Sequence, residues 1–166
     1  MNLTKNQRAF LDMLAVSEGT STSPATQNNG YDVIVTGIDR KPEIFTDYSA
    51  HPFAAGRPSK VINSRGLTSN ASGRYQFMLR DYAHYRDLLR LPDFGPESQD
   101  SWAMQLIRER RAISFIDSGY FDIAVAKCRN LWASLPGAGY GQHENDLTKL
   151  RAAYIAAGGT LGEKNA

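Results

Sequence analysis

The sequence predicts an α+β protein, mainly helical, with a small antiparallel β-sheet that forms one wall of a cleft. Three observations carry this. Apolar residues recur at three- and four-residue steps near the amino end and again through the second half of the chain. Between them lies a β-branched run, Tyr31-Asp32-Val33-Ile34-Val35-Thr36, with a returning partner in Ile44-Phe45-Thr46-Asp47-Tyr48. Stretches rich in Ser, Asn, Gly and Pro separate the two patterns.

The first helix is expected from the capping box Thr4-Lys5-Asn6-Gln7, whose hydroxyl and amide satisfy free backbone groups at a helix start. It runs to about Ser17 with Phe10, Met13, Leu14 and Ser17 on one face, and Gly19 ends it. Residues 20–30 form a loop, and the β region spans about residues 31–72, of which 51–72 read as an exposed loop with limited strand content. A helix is expected over residues 75–89, stopped by Pro92, and another opens at Ser98-Gln99-Asp100. A short piece near Ile113 and Ile116, a helix over residues 121–132 and one over 144–157 complete the order.

With 166 residues, 42% hydrophobic and 22% charged, the chain is an ordinary globular one, read as a single domain over residues 1–166. The net charge is only +2; the basic run from Arg57 to Arg65 leaves open a basic face toward an anionic polymer, the cluster Arg108, Arg110 and Arg111 reads as solvated surface because Glu109 and Asp117 share its stretch, and without RNA-binding motifs or a stripe of base-stacking aromatics no nucleic acid is expected as partner. Cys128 is the sole cysteine and reads as a small core hydrophobe rather than a nucleophile. His51, His84 and His143 lack metal-ligand spacing, so no metal is expected. No signal peptide and no apolar run of membrane-spanning length is evident, which predicts a soluble protein without stable membrane insertion.

The chemistry centres on Glu18. It follows an apolar helical face and meets a helix stop, and apolar neighbours raise a carboxyl's pKa until it serves as a general acid near neutral pH. Proton delivery to a leaving oxygen is glycosidase chemistry. A sugar polymer needs aromatic faces and amide groups, and Tyr31, Tyr48, Tyr75, Gln76, Trp132, Tyr140 and Gln142 stand near expected turns and element ends, although most aromatics in any fold are core. Ser72-Gly73-Arg74-Tyr75-Gln76 reads as a junction where Tyr and Gln face the cleft, or else where Tyr75 packs inward. The glycines of residues 135–142 follow a helix rather than a strand, which rejects a phosphate loop and leaves close backbone approach to a sugar chain. Asp32 and Asp47 are the candidates for a second carboxylate, with a turn or sheet-end hydrogen bond as the plainer reading, preferred for Asp47.

Taken in order, Ser17-Glu18-Gly19-Thr20, Gly30-Tyr31-Asp32-Val33-Ile34-Val35, Phe45-Thr46-Asp47-Tyr48-Ser49, Gly73-Arg74-Tyr75-Gln76, Ser98-Gln99-Asp100 and the long run from Leu131-Trp132 to Gly141-Gln142 resemble the lambda-type endolysin family of phage peptidoglycan lytic transglycosylases. Residues 50–72 and the final tail match least. The resemblance implies a lysozyme-like fold and cleavage of the β-1,4 bond between N-acetylmuramic acid and N-acetylglucosamine with formation of a 1,6-anhydro ring. Glu18 carries the family's acid and then base role, and Tyr31, Asp32, Tyr75, Gln76, Gln99, Ser134, Tyr140 and Gln142 are the expected substrate-binding residues. It implies no cofactor, peptidoglycan glycan strands as partner, and a protein held in the host cytoplasm until a separate holin releases it to the cell wall in the periplasm; a monomer is expected separately, because no long exposed apolar stripe stands out in the sequence. The alternatives are a hydrolytic muramidase that pairs Glu18 with Asp32 and a non-catalytic glycan-binding module.

Overall fold

The structure, a computed structural model, describes residues 1–163. In chain order its elements are α1 (Lys5–Ser17), β1 (Val33–Ile34), β2 (Glu43–Ile44), β3 (Lys60–Val61), β4 (Thr68–Ser69), α2 (Leu79–Leu89), α3 (Pro96–Glu109), α4 (Ile113–Asp117), α5 (Phe121–Cys128) and α6 (Leu147–Ala156). They fall into two compact units, one made of Met1–Glu18 with the chain from Ala103 onward, the other of Gly19–Trp102. The helix α3 begins in the second unit and ends in the first. No helix among the described residues is long and apolar enough to cross a membrane.

The first unit is helical. The capping box forms as its residue types require: Gln7 N–H donates to Thr4 Oγ1 at 3.2 Å, and Thr4 N–H to Gln7 Oε1 at 3.3 Å. The face so started buries Ala9, Phe10, Met13 and Leu14 against α6 and α4. Each large side chain buried this way stabilises by about 1.5–3 kcal/mol. Phe10 meets Phe121 edge to face, and Phe121 leans on Tyr154 at 4.9 Å between ring centres. Asn6 ties the start of α1 to distant backbone, donating to Ile116 O at 3.1 Å and accepting from Thr160 N–H at 2.9 Å. Cys128 is fully buried, and loss of hydration pushes its thiol up to about 12. The helix expected to reach residue 132 stops at Cys128, where Leu131 N–H turns back to Cys128 O. The last helix starts at Leu147, not at 144, because Asp146 is its cap, accepting from Thr148 N–H at 2.7 Å.

The second unit has little sheet. β1 pairs antiparallel with β2, Val33 opposite Ile44, and β3 with β4, Lys60 opposite Ser69. Strands of two residues cannot hold a unit together. An aromatic core does so instead: Phe45, Phe53, Tyr75, Phe77, Tyr82, Phe94 and Trp102 are all buried, and Phe77 stacks flat on Trp102 at 4.0 Å. The segment 51–72 has the limited strand content expected of it, the hairpin β3–β4, but it is not simply an exposed loop, because it buries His51 and Phe53. His51 Nδ1 accepts from Phe53 N–H, so its Nε2 donates to Phe77 O at 3.0 Å, and burial lowers its pKa and keeps the ring neutral.

The helix α2 also starts later than expected, at Leu79 rather than Tyr75. Residues 72–77 close on themselves: Ser72 and Phe77 exchange both backbone hydrogen bonds, and Gly73 and Gln76 adopt φ of +79° and +51°. A Cβ on Gly73 would sit 2.3 Å from Gln99 Oε1, so glycine is required there by both conformation and space.

Candidate active site

Glu18 is the C-cap of α1, its N–H donating to Leu14 O at 2.9 Å. The residue as a whole is half-buried, but its carboxyl is the part withdrawn from water. Loss of hydration raises its pKa from 4.5 to about 7, against the opposing pull of a hydrogen bond from Ser134. The negative end of α1 acts in the same direction as desolvation, since it disfavours a carboxylate beside it. Near neutral pH such a group both holds and releases a proton.

Ser134 Oγ donates to Glu18 Oε1 at 2.5 Å and lies 2.7 Å from Ser17 Oγ. Asn145 anchors both serines. Its backbone N–H donates to Ser134 O at 2.8 Å, and its Nδ2 donates to Ser17 O at 2.9 Å and to Ser17 Oγ at 3.2 Å. Ser134, expected as a substrate contact, thus spends its hydroxyl proton on Glu18. Ser17 and Asn145 carry no sequence signal of a role at the site: they lie 128 positions apart, and no short motif announces their meeting.

The glycine-rich loop belongs to the same unit. Gly137 and Gly139 N–H donate to the two oxygens of Glu144, each at 2.8 Å, and these bonds hold that carboxyl below its ordinary pKa. The amides expected to approach a sugar chain are therefore occupied from within. Tyr140 is 57% exposed with its hydroxyl donating to Asn130 O, and Gln142 is exposed, so both present surface to solvent.

Trp132, in the first unit, is buried as core, and the remaining candidates lie in the second unit. Asp100 Oδ1 accepts from Tyr31 OH at 2.8 Å and Tyr75 OH at 2.6 Å, while Arg74 Nη1 donates to Tyr31 OH at 3.0 Å and its guanidinium lies 4.9 Å from the Tyr31 ring centre. Burial first, then the Asp100 charge, raises both phenols. Tyr31 is half-buried, but Tyr75 is 1% exposed, which corrects its expected role: a ring so enclosed offers no face to a ligand. Gln99 is corrected likewise. It has no exposed surface; Oε1 accepts from Arg74 N–H at 2.8 Å, and Nε2 donates to Tyr31 O and Phe94 O at 2.9 and 2.8 Å. It is a staple for three backbone segments. Gln76 is half-buried with Nε2 on Gly73 O at 3.0 Å.

Asp32 is 2% exposed and engaged at both oxygens, by Thr26 Oγ1 at 2.5 Å and Gln27 N–H at 2.8 Å. Asp47 accepts from Ser49 N–H at 2.8 Å, the turn bond read for it in the sequence. No group of three or more His, Cys, Asp or Glu among the described residues is placed to hold a metal ion.

Among solved structures, lambda lysozyme complexed with a chitohexasaccharide superposes with a TM-score of 0.88 at 47% identity, covering 97% of this chain and 99% of that one. A second lambda lysozyme structure superposes at 0.82 and 46% identity with the same coverage. A lysozyme-like fold whose first helix ends on a raised carboxyl defines a lysozyme-like enzyme. The endolysin of Escherichia phage P2 is 62% identical over 159 residues, 96% of each chain, and that of Escherichia phage lambda 48% identical over 164 residues, 98% of each. A family model described as Endolysin matches residues 8–161, and the chain belongs to that family. It is a peptidoglycan-cleaving enzyme.

Proposed function

We propose that the chain is a lytic transglycosylase that cuts the β-1,4 bond between N-acetylmuramic acid and N-acetylglucosamine, with Glu18 as acid and then base. The observation that carries this reading is the pairing of one carboxyl raised to about 7 with a second candidate, Asp32, whose oxygens are both committed inside its own loop. Glu18 gives its proton to the bridging oxygen as the anomeric C–O bond breaks. The muramyl C6 hydroxyl attacks the anomeric carbon, and its proton returns to the Glu18 carboxylate. No water is consumed. The attacking hydroxyl is tethered to the reacting sugar, so proximity replaces the water that a second acid would activate.

The chitohexasaccharide held by lambda lysozyme supports an N-acetylhexosamine polymer as ligand. Tyr140 and Gln142 in one unit, Tyr31 and Gln76 in the other, keep surface for glycan contact. The reading includes action on the wall in the periplasm by a monomer after release from the host cytoplasm by a separate holin.

Digestion of purified peptidoglycan in heavy-oxygen water tests the mechanism. Anhydromuramyl ends without heavy oxygen are expected; reducing ends that carry it overturn the proposal in favour of the hydrolytic muramidase. Glu18→Gln is expected to reduce wall clearing by about 100-fold or more while glycan binding persists, and clearing at the parent rate refutes the acid assignment.

A further inference from the structure

We propose that Ser134, aligned by Ser17 and Asn145, is a positioning residue that places the acid proton of Glu18 on Oε2 and keeps Oε1 as an acceptor. The inference rests on Glu18 as the acid and adds to it which oxygen acts.

The argument starts at the far end of the relay. The Asn145 side chain sits between a group that only accepts, Ser17 O at 2.9 Å, and a group that only donates, the Lys149 ammonium at 3.3 Å. Nδ2 must therefore face Ser17 and Oδ1 must face Lys149, which settles the amide orientation. The second Nδ2 hydrogen has Ser17 Oγ at 3.2 Å and Ser134 O at 3.4 Å, and because Ser134 O already accepts the Asn145 backbone N–H at 2.8 Å, that hydrogen goes to Ser17 Oγ. With that oxygen accepting, the Ser17 hydroxyl proton points along the 2.7 Å contact to Ser134 Oγ. Ser134 Oγ now accepts, and its own proton goes to Glu18 Oε1 at 2.5 Å. Every hydrogen in the series points toward the carboxyl.

With the Ser134 hydroxyl donating to Oε1, the protonated carboxyl is best arranged with Oε1 as its carbonyl oxygen, the stronger acceptor, because the O–H oxygen of a carboxylic acid accepts poorly. Reversal would require the Ser17 proton to leave Ser134 Oγ for Ser134 O at 3.5 Å, the longest contact in the group. The acid proton thus sits on Oε2, outside the relay, and Oε2 takes back the proton of the attacking hydroxyl. The relay reaches Glu18 through neutral groups. Of the charged residues on the segment that supplies it, Glu144 is bound by the Gly137 and Gly139 amides, Asp146 caps α6, and Lys149 stops at Asn145. Asp12 lies on the same helix as Glu18, and no charged side chain contributes to the raised pKa of Glu18.

Carbon-13 NMR titration of the Glu18 carboxyl without substrate, together with kcat/KM against pH on purified glycan strands, tests the relay in Ser134→Ala, Ser134→Thr and Ser17→Ala. Loss of a hydrogen bond to a charged group raises the Glu18 titration in Ser134→Ala by about one pH unit and carries the alkaline limb of activity upward with it. Activity at the optimum falls about tenfold as the carboxyl loses its orientation. Ser134→Thr restores both; Ser17→Ala, which leaves the backbone bond from Asn145 to Ser134 in place, moves both in the same direction by less and carries the test should Ser134→Ala fail to fold. Titrations and limbs that superpose on the parent in the alanine variants overturn the relay. That result is distinct from failure of the acid reading, which shows as undiminished activity in Glu18→Gln.

Discussion

Replacing Glu18 by Gln should stabilise the fold, and only at high pH. Ionised, the carboxyl sits at the negative end of α1 and out of water, so the native state resists its ionisation until about pH 7 whereas the unfolded chain ionises near 4.5. The sign follows from proton counting. Below pH 4.5 both states hold the proton and Glu18 contributes no pH dependence; between 4.5 and about 7 the native state binds more protons than the unfolded one, so stability falls as pH rises; above about 7 the loss is complete. The distance from 4.5 to about 7 corresponds to a penalty of roughly 3 kcal/mol at full ionisation. Gln carries no charge at any pH and keeps an oxygen to accept from Ser134, so it escapes the penalty while the relay bond survives. Urea unfolding of parent and variant is the assay, with equal slopes as the check that both unfold from the same state. The variant is expected to match the parent near pH 4.5 and to exceed it by about 2–3 kcal/mol near pH 8. A gap that stays constant across that range would mean that Glu18 ionises like a solvated carboxyl, and the account of its chemistry would fall with it.

Gln99→Met separates a staple from a sugar ligand. The variant leaves Arg74 N–H and the carbonyls of Tyr31 and Phe94 without their present partner in a dry interior, and a loss of about 3 kcal/mol, or roughly 6–12 °C in Tm, is expected by thermal unfolding; unchanged stability with a raised KM would instead restore its reading as a substrate contact. Asp32→Asn sets an amide donor against Gln27 N–H or Thr26, and should cost about 1–3 kcal/mol in denaturant while still yielding anhydromuramyl ends. A folded Asp32→Asn protein without turnover would favour the paired-carboxylate alternative.

Local signals in the sequence were followed closely by the chain. Thr4 and Gln7 sit three apart, within reach of one helix turn, so the start of α1 could be read from two residues, and its apolar face led directly to Glu18 as the cap. The enclosure of Cys128 and the Asp47 turn were equally local. What escaped depends on partners distant in sequence. Tyr75 and Gln99 have the residue types of sugar contacts, and only Asp100, Arg74 and the backbone around Gly73 turn them inward. The late start of α2 follows from the closed turn at residues 72–77, set by two left-handed residues rather than by apolar period. Ser17 and Asn145 carry no signature of their own, because a hydroxyl relay is defined by direction and distance, neither of which composition records.

The lone, enclosed sulfur of Cys128 has a further meaning for where such a chain can work. With no second cysteine in the sequence there is no crosslink to form or break, and with a thiol held up to about 12 there is almost no thiolate for an oxidant to find. The fold consequently has no thiol–disulfide step to gain or lose when its surroundings turn from reducing to oxidising.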